Sequence, residues 1–363
     1  MEIHNRNRGE VVDKTLFLLN FVGNGGTEKY VYDLITARGP ERCILVYSEE
    51  GPGISKFEIL GVKIIQVSMR HPFDIKASFE LKKVIKQEKV TVVHAQFLRE
   101  NYIGVLAKLI GAPIKVLWTY HVDVEMKSHI KFANMLMTKL NDEIIAVSNF
   151  MKDQLVKKGV KQSSIHVIYN GVPERQPSAM KRLASDVPLI SVIGRLREEK
   201  GHMFLIETLE YLRGTSPELK WKCEIYGEGP IRKELETLVT EKRLTNEVQF
   251  FGHSEDIEEV YMNTDLVVIP SENEALSYVG IEALSYGIPL IGTSVGGIPE
   301  VIEDGVTGYL VEFGDKESLA RKIERLLTDK EMYEKFSIHG KRHFATKFKT
   351  STMIDKTFEL YDK

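Results

Sequence analysis

The chain has little of what would tie it down covalently or carry it into a membrane. It holds two cysteines in 363 residues, too few for a disulfide framework. Cys43 and Cys223 each sit in an apolar, strand-like run without a neighbouring cysteine or histidine. Both are expected as buried thiols in a reducing cytoplasm. No apolar run reaches the ~20 residues of a membrane-spanning helix; the most apolar region, 102–118, is interrupted by Lys108, Pro113 and Lys115. Residues 1–14 are polar and charged, which excludes a signal peptide there. No Gly-Lys-Ser/Thr follows a glycine loop, so no P-loop is present. No Asp-x-Asp occurs, so the compact carboxylate pair that holds a metal on a diphosphate is missing, and neither metal nor cofactor is expected. The net charge of −3 gives no reason to expect a nucleic-acid partner.

That small net charge conceals an uneven distribution. Residues 1–180 carry 25 Lys and Arg against 19 Asp and Glu, and the remainder carries 24 against 33. The positive half suits an anionic acceptor or an anionic membrane surface, which would place the protein at the inner face of the membrane. A chain of this length reads as two domains.

Strand-like and helix-like segments alternate along the whole chain. Short apolar runs at 15–19, 43–48, 62–67, 91–96, 114–119, 143–148 and 165–169 read as buried strands. Amphipathic helices are expected at 29–37, 75–88, 102–110 and 135–140, with another ending at 158. The polar stretch 174–187, flanked by Pro173 and Pro188, reads as a linker. A second series follows, with strands at 189–193, 221–226, 248–251, 265–269, 290–293 and 309–311 and a helical end. Such alternation predicts an α/β fold with two doubly wound parallel sheets.

The chemistry gathers at strand ends. The run 265–269 leads into Pro270-Ser271-Glu272-Asn273-Glu274-Ala275-Leu276-Ser277, then into a helix that Gly287 and Pro289 should stop. A strand, a polar loop and a helix N-terminus together favour an anionic ligand. Glu274 in the loop and Glu282 in the helix bracket it, and helical side chains tilt back toward the N-terminus. Carboxylates bind hydroxyls, so a ligand that is both anion and polyol fits: a sugar nucleotide. Gly194-Arg195 and Lys200-Gly201 follow another strand, and their cations would neutralise phosphate oxygens. Gly23-Asn24-Gly25-Gly26 forms a glycine loop between the first strand and helix. His94 and His121 both end strands of the first half. Asp142 and Ser148 flank one strand and read as structural.

These motifs resemble the retaining glycosyltransferases of family 4, which have the GT-B fold, over about residues 23–309. Glu274 and Glu282 have the family's E-x7-E spacing, although Ala275-Leu276-Ser277 replaces its usual Gly-Phe-Gly. The resemblance implies two Rossmann-like doubly wound domains facing across a cleft. Residues 1–173 would be the acceptor side, 188–344 the nucleotide-sugar side, and a C-terminal helix at about 345–363 would cross back onto the first domain. It implies Arg195, Lys200, Glu274 and His121 as catalytic residues. Gly25, Gly26, Gly194, Gly227, Leu276, Ser277, Tyr278 and Glu282 would bind the donor, with His94 on the acceptor side. The expected reaction moves a sugar from a nucleotide diphosphate, UDP rather than GDP, to a hydroxyl of a glycan, a lipid-linked or a small acceptor in envelope polysaccharide synthesis. Asp123 is the only nearby carboxylate for double displacement, so front-face departure is preferred. An epimerase or phosphorylase on the same fold, or a non-catalytic sugar-nucleotide-binding protein, are the alternative readings.

Overall fold

The computed structural model describes residues 13–175, 187–254 and 256–363. The expected linker and the polar start lie almost wholly outside the described residues. Two compact units result. The first runs up to Ala146 and adds Lys152–Val167 and Lys356–Lys363; the second takes Val147–Met151 and runs from Ile168 to Asp355.

The first unit is built on a seven-stranded sheet. Its strands are β1 (Lys14–Phe21), β2 (Cys43–Glu49), β3 (Lys63–Gln66), β4 (Val90–Ala95), β5 (Lys115–Tyr120), β6 (Glu143–Ala146) and β7 (Ile165–Val167). They lie in the order β3-β2-β1-β4-β5-β6-β7, and every pairing is parallel. Leu16 to Leu19 of β1 are wholly buried, as expected for a central strand covered on both faces. The strand order reverses between β1 and β4, and ligand crevices form at the carboxyl ends of such neighbouring strands.

The second unit is built on six parallel strands: β8 (Leu189–Ile193), β9 (Lys222–Tyr226), β10 (Val248–Gly252), β11 (Leu266–Ile269), β12 (Leu290–Thr293) and β13 (Gly308–Val311). Their order is β10-β9-β8-β11-β12-β13. The reversal falls between β8 and β11, which pair Ile190 with Leu266. Its buried core combines the strands with Leu205, Leu209, Leu319 and Ile323 from covering helices.

Local chemistry sets the helix limits. The helix Ile75–Glu88 occupies the expected span. Asp74 caps it by accepting from the Ala77 amide at 3.0 Å, which lowers the Asp74 pKa, and Lys89 ends it in the left-handed region at φ 57°. Two seven-residue helices, Ile54–Leu60 and Ile257–Asn263, were not expected from the sequence. The final helix, Thr350–Asp362, contributes its last turns to the first unit. Both cysteines are free and buried. Among the described residues, no helix is long and apolar enough to cross a membrane.

Candidate active site

In the second unit the loops after β8, β11 and β12 press together at the carboxyl end of the sheet. Gly201, at φ +68°, backs onto Pro270 so closely that a Cβ would lie 1.9 Å from the Pro270 carbonyl oxygen. Glu272 N–H donates to the Glu199 carbonyl at 2.9 Å. Gly296, at φ +56°, abuts the Glu274 carbonyl in the same way, and Gly297 N–H donates to it at 2.8 Å. The loop that carries Glu274 is thus clamped on both sides, at Pro270 and Glu272 on one and at Glu274 itself on the other. Its side chain meets Lys200, whose Nζ lies 2.6 Å from Glu274 Oε2. Both side chains are mostly buried, at 24% and 16% exposure. This is a partly desolvated ion pair at the sheet's switch point.

Helix Tyr278–Tyr286 begins beside that pair. Ser277 is its N-cap and accepts from Gly280 N–H at 3.2 Å, while Gly287 ends it at φ 72°. Leu276 is buried beneath the turn. Arg195, just after β8, is exposed. Glu282, one turn into the helix, receives the Tyr261 hydroxyl on Oε2 at 2.9 Å. The Tyr261 ring stacks on Tyr286 at 5.2 Å. Burial, and then the Glu282 charge, push the Tyr261 pKa well above its ordinary value, so the phenol stays a donor.

The first unit has a pocket of about 420 Å³ at its own switch point, with Phe21, Glu28, Gln96, Arg99, Glu100 and His121 in its wall. His121 Nε2 lies 2.9 Å from Gln96 Oε1. The Gln96 amide nitrogen donates to the His94 carbonyl at 3.1 Å, which leaves its oxygen for His121 and assigns the Nε2–H tautomer. Burial lowers the His121 pKa to about 3. The imidazole is therefore neutral, with Nδ1 as an acceptor.

Residues 24–176 match the family model described as Glycosyltransferase Family 4, and residues 176–343 match the one described as Glycosyl transferases group 1. The chain belongs to glycosyltransferase family 4. N-acetyl-alpha-D-glucosaminyl L-malate synthase of Bacillus anthracis is 26% identical over 90% of this chain and 87% of its own length. The capsular polysaccharide biosynthesis glycosyltransferase CapM of Staphylococcus aureus is 24% identical over 80% and 81%. HepE of Anabaena, solved in complex with UDP, matches with a TM-score of 0.84 and 20% identity, covering 95% of this chain and 98% of that one. That likeness shows the GT-B fold.

Within the second unit of this glycosyltransferase, Lys200 and Glu274 meet, whereas Glu282 bonds Tyr261. The amides of Gly194 and Gly227 are spent on the Tyr226 and Gly252 carbonyls, at 2.9 and 2.6 Å. The side of Gly194 where a side chain would project is open. Tyr278 is the first helical residue after the Ser277 cap.

In the first unit two expectations change. His94 is fully buried, with Nδ1 2.7 Å from the Tyr361 hydroxyl and Nε2 2.7 Å from Thr119 Oγ1. Both nitrogens are occupied, so it is a structural residue and offers nothing to an acceptor. The glycine loop is partly self-satisfied, because the Glu28 carboxylate takes the Gly23 and Gly25 amides at 2.9 Å each. Gly25 therefore has no amide to spare for a diphosphate, while Gly26 opens the helix Gly26–Arg38. Asp123 is engaged by the Lys158 ammonium and by the Tyr120 hydroxyl at 2.6 Å. Asp142 ties the Val116 amide to Lys108, and Ser148 caps the helix Asn149–Lys157 through Met151 N–H. Tyr261, Gln96, Glu28 and Glu100 had no local sequence signal beyond being polar. Among the described residues no three His, Cys, Asp or Glu side chains are placed to hold a metal ion.

Proposed function

We propose that the protein transfers a sugar from a UDP-sugar to an acceptor hydroxyl with retention and without a metal. The observation that carries this reading is the Lys200–Glu274 pair beside the Ser277-capped helix, with Arg195 exposed on the neighbouring strand end. When the sugar–phosphate bond breaks, negative charge grows on the leaving diphosphate. Lys200 supplies a point charge and Arg195 a planar fork, the two cations suited to stabilise it. Glu274 holds Lys200 in place and presents its second oxygen to sugar hydroxyls. In the first unit His121, neutral, offers Nδ1 as an acceptor for a hydroxyl.

Retention by double displacement needs a free carboxylate nucleophile. The engagement of Asp123 by Lys158 and Tyr120 argues for a front-face reaction instead. The acceptor oxygen then bonds to the anomeric carbon on the face that UDP leaves, the bond to the phosphate oxygen breaks, and that oxygen takes the acceptor proton.

The complex of HepE with UDP supports the choice of nucleotide, and the likeness to the capsular polysaccharide glycosyltransferase CapM supports a glycan or lipid-linked acceptor in surface polysaccharide synthesis. On the first unit, exposed Ile75 and Phe79 share the helix Ile75–Glu88 with exposed Lys76 and Lys83, and exposed Phe132 and Leu136 share the helix Ser128–Thr138 with exposed Lys131, compositions suited to peripheral contact with anionic lipid. Lys82 does not share that role, because its ammonium is held by the Ile110 carbonyl. The test is a panel of nucleotide sugars with EDTA present, reading released nucleotide and the anomeric configuration of the product. Release from UDP-sugars with an α-to-α outcome is expected. Turnover only with added Mg²⁺ or Mn²⁺, or an inverted product, would overturn the proposal.

A further inference from the structure

Arg99 has no assigned task, yet among the described residues it is the one cation in the wall of the ~420 Å³ pocket, whose size admits a small ligand. It stands in the first turn of the helix Leu98–Leu109 and is half-buried. One end of its guanidinium is pinned. Nη1 donates to Asn20 Oδ1 at 2.7 Å and to the Met69 carbonyl at 3.0 Å. Nε and Nη2 donate to no described residue, and neither is among the nitrogens sealed from solvent. A guanidinium held at one corner, with its other donors open, is preorganised for an oxyanion.

The neighbours extend the pattern. Asn20 gives its side-chain oxygen to Arg99, so its Nδ2 hydrogens remain to be donated. His121 presents Nδ1 as an acceptor. The two acids of the wall are engaged. Glu28 takes the Gly23 and Gly25 amides at 2.9 Å each. Glu100 is sealed from solvent, and the amides of Glu100 and Asn20 are drawn to its carboxylate. These acids still offset the Arg99 charge, so the wall has no surplus of positive charge for a dianionic phosphate. A monoanion with two oxygens in one plane matches the fork: a carboxylate. A hydroxyl on the same molecule finds its acceptor at His121.

We propose that Arg99, with Asn20, is a specificity residue for the acceptor: the two bind the carboxylate of a hydroxy acid, either a small free acid or a uronic acid unit of a glycan. This deepens the transferase reading and rests on it.

The probes are two matched pairs, glycerate against glycerol and methyl β-D-glucuronide against methyl β-D-glucoside. Each is titrated by calorimetry into the full chain with UDP present, at pH 8 and low salt. At least one acid should bind about tenfold or more tighter than its neutral partner, and which acid does so names the source. Arg99→Gln should weaken that acid about tenfold and abolish the preference, as expected when a charge-assisted donor is lost. UDP affinity should hold in the variant. The wild-type protein gives a second readout that serves if the variant misfolds. The acid should protect Arg99 from phenylglyoxal, followed by peptide mass, and the neutral partner should not. Acids that bind no tighter than their neutral partners, an unchanged Arg99→Gln variant, or equal modification of Arg99 with and without the acid would overturn the proposal. Its failure leaves UDP binding and donor turnover intact, whereas failure of the transferase reading removes them.

Discussion

Lys200 Nζ and Glu274 Oε2 stand 2.6 Å apart across two loops that are 74 residues distant in sequence. The pair is three-quarters or more withdrawn from solvent, so breaking it leaves a poorly solvated charge behind. Lys200→Ala should therefore lower kcat/KM by roughly 10²-fold or more, as for loss of one oxyanion donor, and Arg195→Ala should do the same. Steady-state kinetics with a UDP-sugar checks this. Both variants working near the wild-type rate would remove the leaving-group role.

The two glutamates should separate kinetically. Glu274 touches Lys200, the cation proposed to stabilise the leaving group, so Glu274→Gln should act mainly on kcat. We propose that Glu282, which lies with Tyr261, holds the ribose hydroxyls of the nucleotide; those contacts are equal in ground and transition states, so Glu282→Gln should mainly raise the donor KM. Tyr261→Phe removes one hydroxyl donor to Glu282 and should alter UDP affinity without altering kcat. Equal losses of UDP affinity in the Glu274 and Glu282 variants would show that they act as one unit.

Gly201→Ala should destabilise the protein by about 2 kcal/mol or more, because its Cβ would meet the Pro270 carbonyl oxygen at 1.9 Å. Gly305, at φ +73° with nothing within 4 Å of a built Cβ, is the control. Its alanine variant bears only the left-handed conformation, about 1 kcal/mol. Urea denaturation of both separates close approach from backbone strain, and equal losses would refute the clamp.

Stability should respond to pH with two opposite signs. The His94 and His121 pKa values are lowered to about 3, so the unfolded chain binds more protons between that value and the ordinary 6.5, and stability falls as pH drops through this window. The Glu100 pKa is raised to about 7 from 4.5, so the folded chain holds the extra proton there and stability falls as pH rises from 4.5 to 7. Glu100→Gln removes the second contribution. Relative to wild type it should gain about 1 to 3 kcal/mol between pH 4.5 and 7. A constant difference in denaturation midpoint across that range would show that Glu100 titrates normally.

Vesicles test the basic first unit. Binding to anionic liposomes should weaken as salt rises and the Debye length shortens to about 3 Å at 1 M. Phe79→Ser and Phe132→Ser should weaken it further by removing exposed apolar anchors. Indifference to anionic vesicles at low salt would leave the charge asymmetry without a role.

Much of this was legible in the sequence because buried parallel strands are short apolar runs and their loops are polar. The span 189–193 and the helix 75–88 came out at their observed limits. The helices Ile54–Leu60 and Ile257–Asn263 escaped because seven residues give under two turns of periodicity. Asp256 before Glu258 and Glu259 was nevertheless a readable cap. The Lys200–Glu274 contact needed the sheet order, since only the adjacency of β8 and β11 brings those loops together. His94 was misplaced because a polar residue ending a strand looks the same whether it lines a pocket or fills a wall. Its partners, Thr119 and Tyr361, lie 25 and 267 residues away.

The bond between His94 and Tyr361 sets an order on biosynthesis. A buried imidazole in β4 is completed by the phenol of Tyr361, 267 residues later, so the domain begun first is not finished first. Its sheet can be laid down once Val167 has emerged, but the turns at Lys356–Lys363 arrive about 190 residues later. At 5–20 residues per second this is a wait of roughly 10 to 40 s. During that interval the nascent domain carries an unfilled hole beside a desolvated histidine and an open seat for the rings that Arg38 later faces. The second unit, almost continuous in sequence, has no such wait, and maturation of the first is timed by synthesis of the segment Lys356–Lys363.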